Sequence, residues 1–458
     1  MFEPLYTAEE MKAAEAGHDV AELMQRAGRA VAEEALRRFP EARTFGAVCG
    51  GGANGGDGRI ALEVLRAAGR TAEEGVEGDV LIDALFGTGF HGEPRPDAAK
   101  LIERMNAVGV PVVAVDLPSG VNADTGEIAG AAVRADVTVT MHGRKVGLEV
   151  APGRFHAGEV VVADIGLEPR ETKTRLVTRE ILGLVPRKRP EDTKYSSGAV
   201  LVVGGASGMT GAACLAATAA FRADAGYVTV CAPRESLPVI EARVLEAVKR
   251  PLEEAVEAVP RHTALALGPG LGRSTDRQAL VRQLLEIADL PAVVDADALF
   301  GLEPFERSAP TVLTPHEGEL GRLLGRESSW VAAHRLEAVW EAVDRFGCVC
   351  LLKGVDALVA APGSRLEAPP AEPSAPGPEP EHLRRDGLLV AALGPPSLAT
   401  AGTGDVLTGV TAAFLAKGVE AQHAAAAAAV ACGVAARLGP ARGLVASDVV
   451  ALLPAALE

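Results

Sequence analysis

The segment 399–409, with the sequence ATAGTGDVLTG, places small residues and one carboxylate directly before an apolar helical pattern. Gly402 and Gly404 flank Thr403. Backbone N–H groups at such a helix start, together with the positive end of the helix dipole, can hold a transferring phosphoryl group. Asp405 follows at once and is placed to take a proton from a substrate hydroxyl, whereas an N-cap is its ordinary alternative role. The complete GTGD run favours phosphoryl transfer.

A second glycine-rich segment, CGGGANGGDG at 49–58, lies between an apolar run and an amphipathic pattern. Glycine permits positive φ and lets backbone N–H groups approach a phosphate at a helix N-terminus. Asp83 in IDALFGTGFHGE and Asp116 in VDLPSGVNADTG each end an apolar strand pattern. Either carboxylate alone is explained as a turn cap, but three such elements at one sheet edge favour a second site.

The elements that position these residues are short apolar runs without period-two alternation. Such runs are typical of strands buried on both faces of a parallel sheet, and ligands bind beyond the carboxyl ends of these strands. The first series comprises 47–49, 80–85, 110–116 and 137–141. A second series follows after residue 194 (AVLVVGG, YVTVCAP, ALALGPG, AVVDAD, TVLTPHEGE, VCLLKG, DALVAAP), and nearly every run in it ends in Gly, Asp, Pro or His. The sequence therefore predicts an α/β fold throughout.

The length of 458 residues predicts two domains. The charged, proline-containing stretch 168–194 marks the junction, so we divide the chain into 1–175 and 176–458. A Pro-rich insertion at 362–380 is expected to be a solvated loop or disordered, because its composition cannot supply a packed element.

The net charge of −16 argues against nucleic acid and anionic membranes as partners. The six scattered cysteines contain no C-x-x-C pair and are expected to be reduced. The acidic N-terminus does not resemble a signal peptide, and the Ala-rich stretch 424–436 is too short to cross a bilayer. We expect a cytoplasmic protein with a small-molecule substrate, present as a homo-oligomer.

The motifs of the first third resemble those of the NAD(P)H-hydrate epimerase family, which implies a Rossmann-like three-layer domain. The carrying motifs are ELMQRAG at 22–28, NGGDG at 54–58, DALFGTG at 83–89 and DLPSG at 116–120. The resemblance implies that Asn54, Asp83 and Ser119 hold a potassium ion, whose preferred ligands are hard oxygens, and that Asp116 is the catalytic carboxylate. It further implies that the substrate is bound by Asn54, Gly55, Gly56, Asp57, Gly87, Thr88, Gly89, Phe90, His91, Gly92, Glu93 and Asp116.

The first third of the chain departs from the family pattern in two places and contains one lysine with two alternative roles. Ala53 replaces an asparagine usual in the family, and between Asp57 and Asp83 the chain is too short for an expected strand–helix pair. Both departures put the epimerase activity in doubt. Lys145 resembles a lysine that the family places near the ring, although a solvated lysine is an equal alternative.

GxGD before a helix is typical of the ribokinase-like fold, and the remaining motifs resemble those of the ADP/ATP-dependent NAD(P)H-hydrate dehydratases. They are GASGMTG at 205–211, GPGLG at 268–272, VDADAL at 294–299, TPHEGE at 314–319 and LLKG at 351–354, of which TPHEGE is the most selective. The resemblance implies that the nucleotide is held by Lys353, Gly354, Val355, Asp356, Ala357, Gly402, Thr403 and Gly404. It implies that the hydrated substrate is contacted by Ala212, Gly270, His316 and Asp405, with Asp405 as the catalytic base.

Mg²⁺ is expected with the nucleotide, held through water by Asp295 and Glu319, although strand-end capping explains either carboxylate equally well. Asp224 stands where the family has glycine, and we expect it to adopt a left-handed conformation at some cost. The resulting hypothesis is a two-domain enzyme that epimerises and dehydrates hydrated NADH and NADPH. Two alternatives stay open: a ribokinase-like kinase for a vitamin or sugar, and a dehydratase with a non-catalytic amino-terminal binding domain.

Overall fold

The computed structural model describes residues 1–363 and 387–458. The predicted Pro-rich insertion lies outside the described residues from position 364 onward.

The described residues form two parallel-rich sheets covered by helices, as the apolar runs predict. The strands are β1 (Phe2–Tyr6), β2 (Thr44–Cys49), β3 (Thr71–Glu74), β4 (Val80–Ala84), β5 (Val112–Val115), β6 (Val137–Met141), β7 (Arg144–Lys145), β8 (Glu159–Ala163), β9 (Thr174–Val177), β10 (Ala199–Val203), β11 (Tyr227–Ala232), β12 (Val248–Pro251), β13 (Ala264–Leu267), β14 (Ala292–Val294), β15 (Thr311–Leu313), β16 (Val349–Leu352), β17 (Ala357–Ala360) and β18 (Leu388–Ala391). The helices are α1 (Ala8–Glu15), α2 (Val20–Arg38), α3 (Ala53–Ala67), α4 (Pro96–Ala107), α5 (Val146–Glu149), α6 (Thr210–Arg222), α7 (Leu237–Arg243), α8 (Ala255–Ala258), α9 (Thr275–Ile287), α10 (Glu317–Leu324), α11 (Ser328–Ala333), α12 (Arg335–Phe346), α13 (Thr403–Ala416), α14 (Ala421–Leu438) and α15 (Ala446–Leu457).

The first sheet is a three-layer α/β unit with the strand order β3-β2-β4-β5-β6-β8. All of its neighbouring strands pair in parallel. Helices α2 and α3 pack together on one face, while α4 buries Ile102 and Met105 on the other. The carboxyl ends of β2, β4 and β5 therefore meet at one edge, where the glycine-rich segment, Asp83 and Asp116 were expected to converge.

The short chain between Asp57 and Asp83 has a structural consequence at the edge of this sheet. β3 and β4 are both parallel to β2 and lie on opposite sides of it, so residues 75–79 must run back across β2 without a helix. A Cβ atom on Gly46 would lie 2.4 Å from the carbonyl oxygen of Glu77, so only glycine leaves room for this crossing. Val76 is buried there in the cluster that also contains Ile102 and Met105.

The second sheet has the strand order β12-β11-β10-β13-β14-β15-β16-β17-β18-β9-β1-β7. Alternating residues of β10 point to opposite faces, as the strand period of two requires. Val200 and Val202 join a core with α6, α13 and α14, whereas Leu201 and Val203 join a core with α9. Strands β10 to β16 run in parallel, so their carboxyl ends also share one edge.

The two halves of the chain are joined through β9. This strand pairs in parallel with β18 and antiparallel with β1, so the first strand of the chain belongs to the second sheet. β9 also crosses the boundary between the proposed domains 1–175 and 176–458. The division of the chain into these two domains remains a proposal from the sequence.

Asp224 adopts the backbone conformation that the sequence predicts. Asp224 has φ of 72°, the expected left-handed conformation, and pairs with Lys188 and Lys417 at 2.7 Å each. Burial alone would raise the Asp224 pKa, but the two ammonium groups lower it.

All six cysteines are free, and Cys231, Cys348, Cys350 and Cys432 are buried. Across 1–363 and 387–458, every helix is too short or too polar to traverse a bilayer.

Candidate active sites

A first cavity of about 750 Å³ opens at the carboxyl edge of the first sheet. Among the predicted substrate positions, the residues that line it are Asn54, Asp57, Gly87, Thr88, Gly89, Phe90, His91 and Asp116. Those that do not line it are Gly55, Gly56, Gly92 and Glu93. Phe86, which the sequence did not single out, stacks on Phe90 with ring centroids 4.5 Å apart and adds an aromatic wall.

The glycines of the NGGDG motif allow the start of α3 to pack closely on the first sheet. α3 begins at Ala53, so NGGDG lies in its first turns, and no glycine between positions 50 and 58 has positive φ. The expectation that these glycines provide positive φ is therefore wrong. A Cβ on Gly55 would lie 2.0 Å from the Gly50 carbonyl oxygen, and one on Gly58 would lie 2.5 Å from Ala84 Cβ. Glycine lets the helix start sit directly on β2 and β4.

The three predicted potassium ligands form one group around the backbone of Phe86. Asp83 accepts hydrogen bonds from the Ser119 N–H at 2.7 Å and the Ser119 hydroxyl at 2.6 Å. Ser119 Oγ accepts from the Phe86 N–H, and Asn54 donates to the Phe86 carbonyl at 2.8 Å. Asp83 is fully buried, and burial raises its pKa to about 6, although the bonds from Ser119 lower it. Within the described residues no cationic side chain pairs with this carboxylate, so its charge suits a bound cation.

Asp116 and Lys145 form a buried ion pair at the cavity floor. Lys145 Nζ lies 2.5 Å from Asp116 Oδ1 and also donates to Thr140 Oγ1 and the Met141 carbonyl. The exposed fraction of Lys145 is 0%, so the alternative of a solvated lysine is wrong. Asp116 has φ of 66°, and its Oδ1 also accepts from the Met141 N–H at 3.0 Å. Strained backbone of this kind is typical of functional sites.

Two more carboxylates surround this pair. Asp57 Oδ1 is buried without a hydrogen-bond partner among the described residues. Burial, together with the charges of Asp116 and Glu15, raises the Asp57 pKa to about 8. Glu15, at the end of α1, lines the same cavity, and its pKa is raised by desolvation and by Asp116. The sequence did not single out Glu15, because nothing local marks a helical glutamate whose neighbours are distant in the chain.

A second cavity of about 1040 Å³ lies at the carboxyl edge of the second sheet. The predicted nucleotide and substrate positions that line it are His316, Lys353, Gly354, Val355, Asp356, Ala357, Thr403 and Gly404. Ala212, Gly270, Gly402 and Asp405 are outside its lining. A Cβ on Gly270 would lie 3.2 Å from Ala212 Cβ, so these two positions are neighbours, while α6 packs directly on α13.

The GTGD run was expected to precede a helix, but α13 already begins at Thr403, so Thr403, Gly404 and Asp405 lie in its first turn. Gly402 is the N-cap in a left-handed conformation with φ of 92°, which glycine adopts without strain. The Thr403 hydroxyl donates within the preceding loop, to the carbonyls of Leu398 and Thr400. The Thr403 N–H donates to the Thr400 carbonyl at 3.4 Å, whereas the N–H groups of Gly404 and Asp405 have no acceptor among the described residues, so they and the helix dipole favour an anion.

Lys353 connects this helix start to β14. Its ammonium group lies 2.6 Å from Asp295 Oδ1, and a Cβ added to Gly404 would be 3.1 Å from Lys353 Nζ. The Thr408 hydroxyl donates to the other Asp295 oxygen at 2.6 Å. Burial lowers the Lys353 pKa, but Asp295, Glu319 and Asp405 together raise it. Three carboxylates around one ammonium leave this region negative.

Asp405 is half-buried in the first turn of α13, and its carboxylate accepts no hydrogen bond from any part of 1–363 or 387–458. Burial and the charge of Asp295 raise its pKa to about 7, against the lowering effect of Lys353. A carboxylate with a pKa near neutrality can hold or release a proton at physiological pH, as general acid–base catalysis requires.

His316 and Glu319 cap the start of α10. His316 Nδ1 accepts from the Gly318 N–H at 3.0 Å, and Glu319 accepts from the His316 N–H at 3.0 Å. This is a capping box with histidine as N-cap. The arrangement favours the capping alternative for Glu319, while the half-exposed His316 ring remains on the cavity wall.

Asp356 connects the second cavity to the amino-terminal half, a contact that the sequence did not predict. It accepts from the Ala151 N–H at 2.8 Å and from Arg335 Nε at 3.0 Å, both through Oδ2. The exposed fraction of the Arg335 and Asp356 side chains is 1% each, and Arg335 also pairs with Glu317.

Comparison with known proteins covers both halves. The family described as NAD(P)H-hydrate dehydratase matches residues 200–376 and 384–454. The family described as YjeF-related protein N-terminus matches 20–73 and 69–147, two segments that overlap just before the shortened crossing. A bifunctional NAD(P)H-hydrate repair enzyme from Coxiella burnetii is 34% identical over 96% of this chain and 95% of its own length.

Solved structures resemble the second half. The crystal structure of ADP/ATP-dependent NAD(P)H-hydrate dehydratase from Bacillus subtilis, co-crystallised with ATP/Mg²⁺, has a TM-score of 0.53 and 28% identity, covering 61% of this chain and 96% of that chain. A ribokinase-like superfamily protein from Enterococcus faecalis shares the fold, with a TM-score of 0.51 and 22% identity over 63% of this chain and 97% of its own. The chain therefore belongs to the family of bifunctional NAD(P)H-hydrate repair enzymes.

Proposed function

We propose that this protein repairs hydrated NADH and NADPH. The amino-terminal half interconverts the R and S hydrates, and the carboxy-terminal half uses ADP or ATP to dehydrate the S form. Family membership over nearly the whole chain supports this function and argues against the vitamin or sugar kinase. The observation that carries the proposal is that Thr403 and Gly404, in the first turn of α13, line a cavity large enough for a nucleotide together with Lys353, and that Asp405 follows in the same turn.

In the dehydration step, Asp405 takes the proton of the hydroxyl on C6 of the hydrated ring. The oxygen forms a bond to the terminal phosphorus, and the bond from that phosphorus to the nucleotide breaks, so the nucleotide leaves one phosphate shorter. Phosphate then leaves C6 while C5 loses a proton, which restores the double bond of the dihydropyridine. The N–H groups of the α13 start and Lys353 stabilise the negative charge of the transferring group.

Mg²⁺ fits the charge of this site. Asp295, Glu319 and Asp405 surround Lys353, so a polyphosphate would meet net negative charge without a cation. Mg²⁺ usually binds one or two carboxylates and the substrate phosphates while keeping several waters, and it would neutralise the phosphate oxygens. Asp295 and Glu319, each already accepting a hydrogen bond, would hold it through water.

In the amino-terminal half, we propose that Asp116 moves the proton needed for reversible opening of the hydrated ring. Lys145 balances the Asp116 charge and fixes the carboxylate at the cavity floor. K⁺ bound by Asn54, Asp83 and Ser119 would compensate the buried Asp83 charge below the substrate. The stacked Phe86 and Phe90 rings offer an apolar wall for the nicotinamide.

The net charge and six free cysteines support a cytoplasmic location, which we retain as a proposal together with a homo-oligomeric state.

The configuration of the hydrate that is supplied as substrate allows the activities of the two halves to be tested separately. Purified protein receives the R hydrate with ADP, Mg²⁺ and K⁺, and the restored dihydropyridine absorbance is followed. Conversion of all the R form supports both activities. In a parallel assay that starts from the S hydrate, consumption of the S form without consumption of the R form would show a dehydratase with a non-catalytic amino-terminal domain.

A further inference from the structure

The turn that follows α5 in the amino-terminal half forms part of the second cavity. Ala151, Pro152 and Phe155 line this cavity together with residues of the carboxy-terminal half, although they lie on the opposite side of the proposed boundary. Sequence motifs mark no function for this turn. Its position adds an aromatic side chain to a site otherwise walled by aliphatic and polar residues.

Hydrogen bonds on both sides fix this turn. The Ala151 N–H donates to Asp356 at 2.8 Å, and Arg154 donates to the Ala392 carbonyl at 3.1 Å, so the second half holds it at two points. On its own side, the Gly153 N–H donates to the Gly126 carbonyl, and Arg154 pairs with Glu149 at 2.6 Å. The direction of the Phe155 side chain is therefore set by both halves of the chain.

Phe155 is unusually exposed for its type. The exposed fraction of this side chain is 61%, whereas aromatic residues make up only 3% of the whole sequence and are buried by preference. Exposure of a large apolar ring costs free energy unless a ligand covers it. The ring stands at a cavity wall, so a flat apolar ligand group is the occupant that its chemistry fits.

The cavity lining combines groups of two kinds. Lys353, Thr403 and Gly404 suit phosphate. The apolar lining includes Ala391, Leu398, Leu407, Ala429 and Cys432. Phe155 belongs to the same lining, and the turn that carries it is bonded through the Ala151 N–H to Asp356, which also lines the cavity.

We infer that Phe155 is a binding residue for the purine base of the nucleotide, supplied by the amino-terminal half to the active site of the other half. This inference rests on the proposed dehydratase function and deepens it. Stacking of a base on an aromatic side chain adds affinity whichever base is bound. In this chain the amino-terminal half therefore adds one contact to a nucleotide site that is otherwise built by the carboxy-terminal half.

The test measures ADP binding to the full-length protein by calorimetry in the presence of Mg²⁺. Phe155→Ala should raise the ADP dissociation constant roughly five- to a hundredfold, and Phe155→Trp should restore it. Leu245→Ala, which removes another exposed apolar side chain outside the lining of this cavity, should leave the constant unchanged. In steady-state dehydration the same Phe155→Ala variant should raise the KM for ADP while kcat and the KM for the hydrate stay constant.

Phe155→Ala binding ADP as tightly as the wild type would overturn the inference and leave the proposed function intact. An equal loss of affinity in Phe155→Trp would also overturn it, because stacking would then be irrelevant. A wild-type protein that binds no ADP would instead contradict the proposed dehydratase function.

Discussion

Lys353 Nζ lies 2.6 Å from Asp295 Oδ1, and this contact joins two strand ends to the start of α13. The same Asp295 carboxylate accepts the Thr408 hydroxyl from the second turn of α13. Lysine, aspartate and helix are thereby fixed relative to one another before any ligand arrives. Such preorganisation is what electrostatic stabilisation of a transferring phosphoryl group requires.

The pH dependence of dehydration should follow Asp405. Its pKa is raised to about 7, and only the ionised carboxylate accepts a proton, so kcat/KM should fall about tenfold per pH unit well below pH 7 and level off above it. Asp295→Asn removes one of the charges that raise this pKa and frees Lys353, so the midpoint should move to lower pH. A profile that is flat from pH 5.5 to 8.5 would contradict the role of Asp405 as base.

The ion pair between Asp356 and Arg335 should be essential for stability. Asp356→Ala leaves the Arg335 guanidinium buried without its main partner and the Ala151 N–H without an acceptor. We expect the free energy of unfolding to fall by about 3–5 kcal/mol, measured by urea denaturation. The matched control Glu171→Ala breaks an exposed pair with Arg175 and should have no measurable effect. Equal stability of the two variants would contradict the importance of the buried pair.

Asp57 should make the protein without substrate less stable at high pH. Its folded pKa of about 8 exceeds the ordinary value of 3.8, so the folded state retains a proton that the unfolded state has lost. The free energy of unfolding should therefore decrease between about pH 4 and pH 8, by up to about 1.4 kcal/mol per pH unit, and then level off. Asp57→Asn should flatten this part of the thermal-stability profile. An unchanged slope in the variant would show that Asp57 is ionised in the folded protein.

Asp116→Asn should stop epimerisation and spare dehydration of the S hydrate, because the two cavities lie on separate sheets. The asparagine keeps an oxygen for the Met141 N–H but leaves the Lys145 charge uncompensated, so the variant should also unfold at a lower temperature. Epimerisation of the R and S hydrates and dehydration of the S form are measured separately at a temperature below that unfolding. Loss of both activities while the protein remains folded would contradict two independent sites.

The sequence predicts those parts of the fold and sites that depend on local pattern. The apolar runs locate the strands, and the strand ends at Asp83 and Asp116 and the GTGD turn at Asp405 are brought to cavity edges by the topology of parallel sheets. The start of α13 at Thr403, earlier than expected, follows from Gly402, whose left-handed conformation caps the helix. Such positions can be predicted from the sequence because sheet geometry alone determines where they lie.

The sequence does not predict contacts between segments that are distant in the chain. The burial of Lys145 against Asp116, the place of Glu15 in the first cavity and the contact of Ala151 with Asp356 depend on chain paths that no local pattern encodes. The glycines of NGGDG were recognised as important for the wrong reason, since close approach of Gly55 to Gly50, rather than positive φ, excludes larger residues. Steric exclusion of this kind appears only when the neighbouring strand is in place.

The central claim is that Asp405 activates the hydroxyl of the hydrated ring beside a nucleotide held at the α13 start. Its most direct test incubates purified wild-type protein and the Asp405→Asn variant with the S hydrate of NADH, ADP and Mg²⁺ while the absorbance of the restored dihydropyridine is recorded. The wild type should restore the cofactor with release of one phosphate per turnover, and the folded variant should be slower by at least about a hundredfold, because the base is lost. Turnover by the variant at the wild-type rate would contradict the claim.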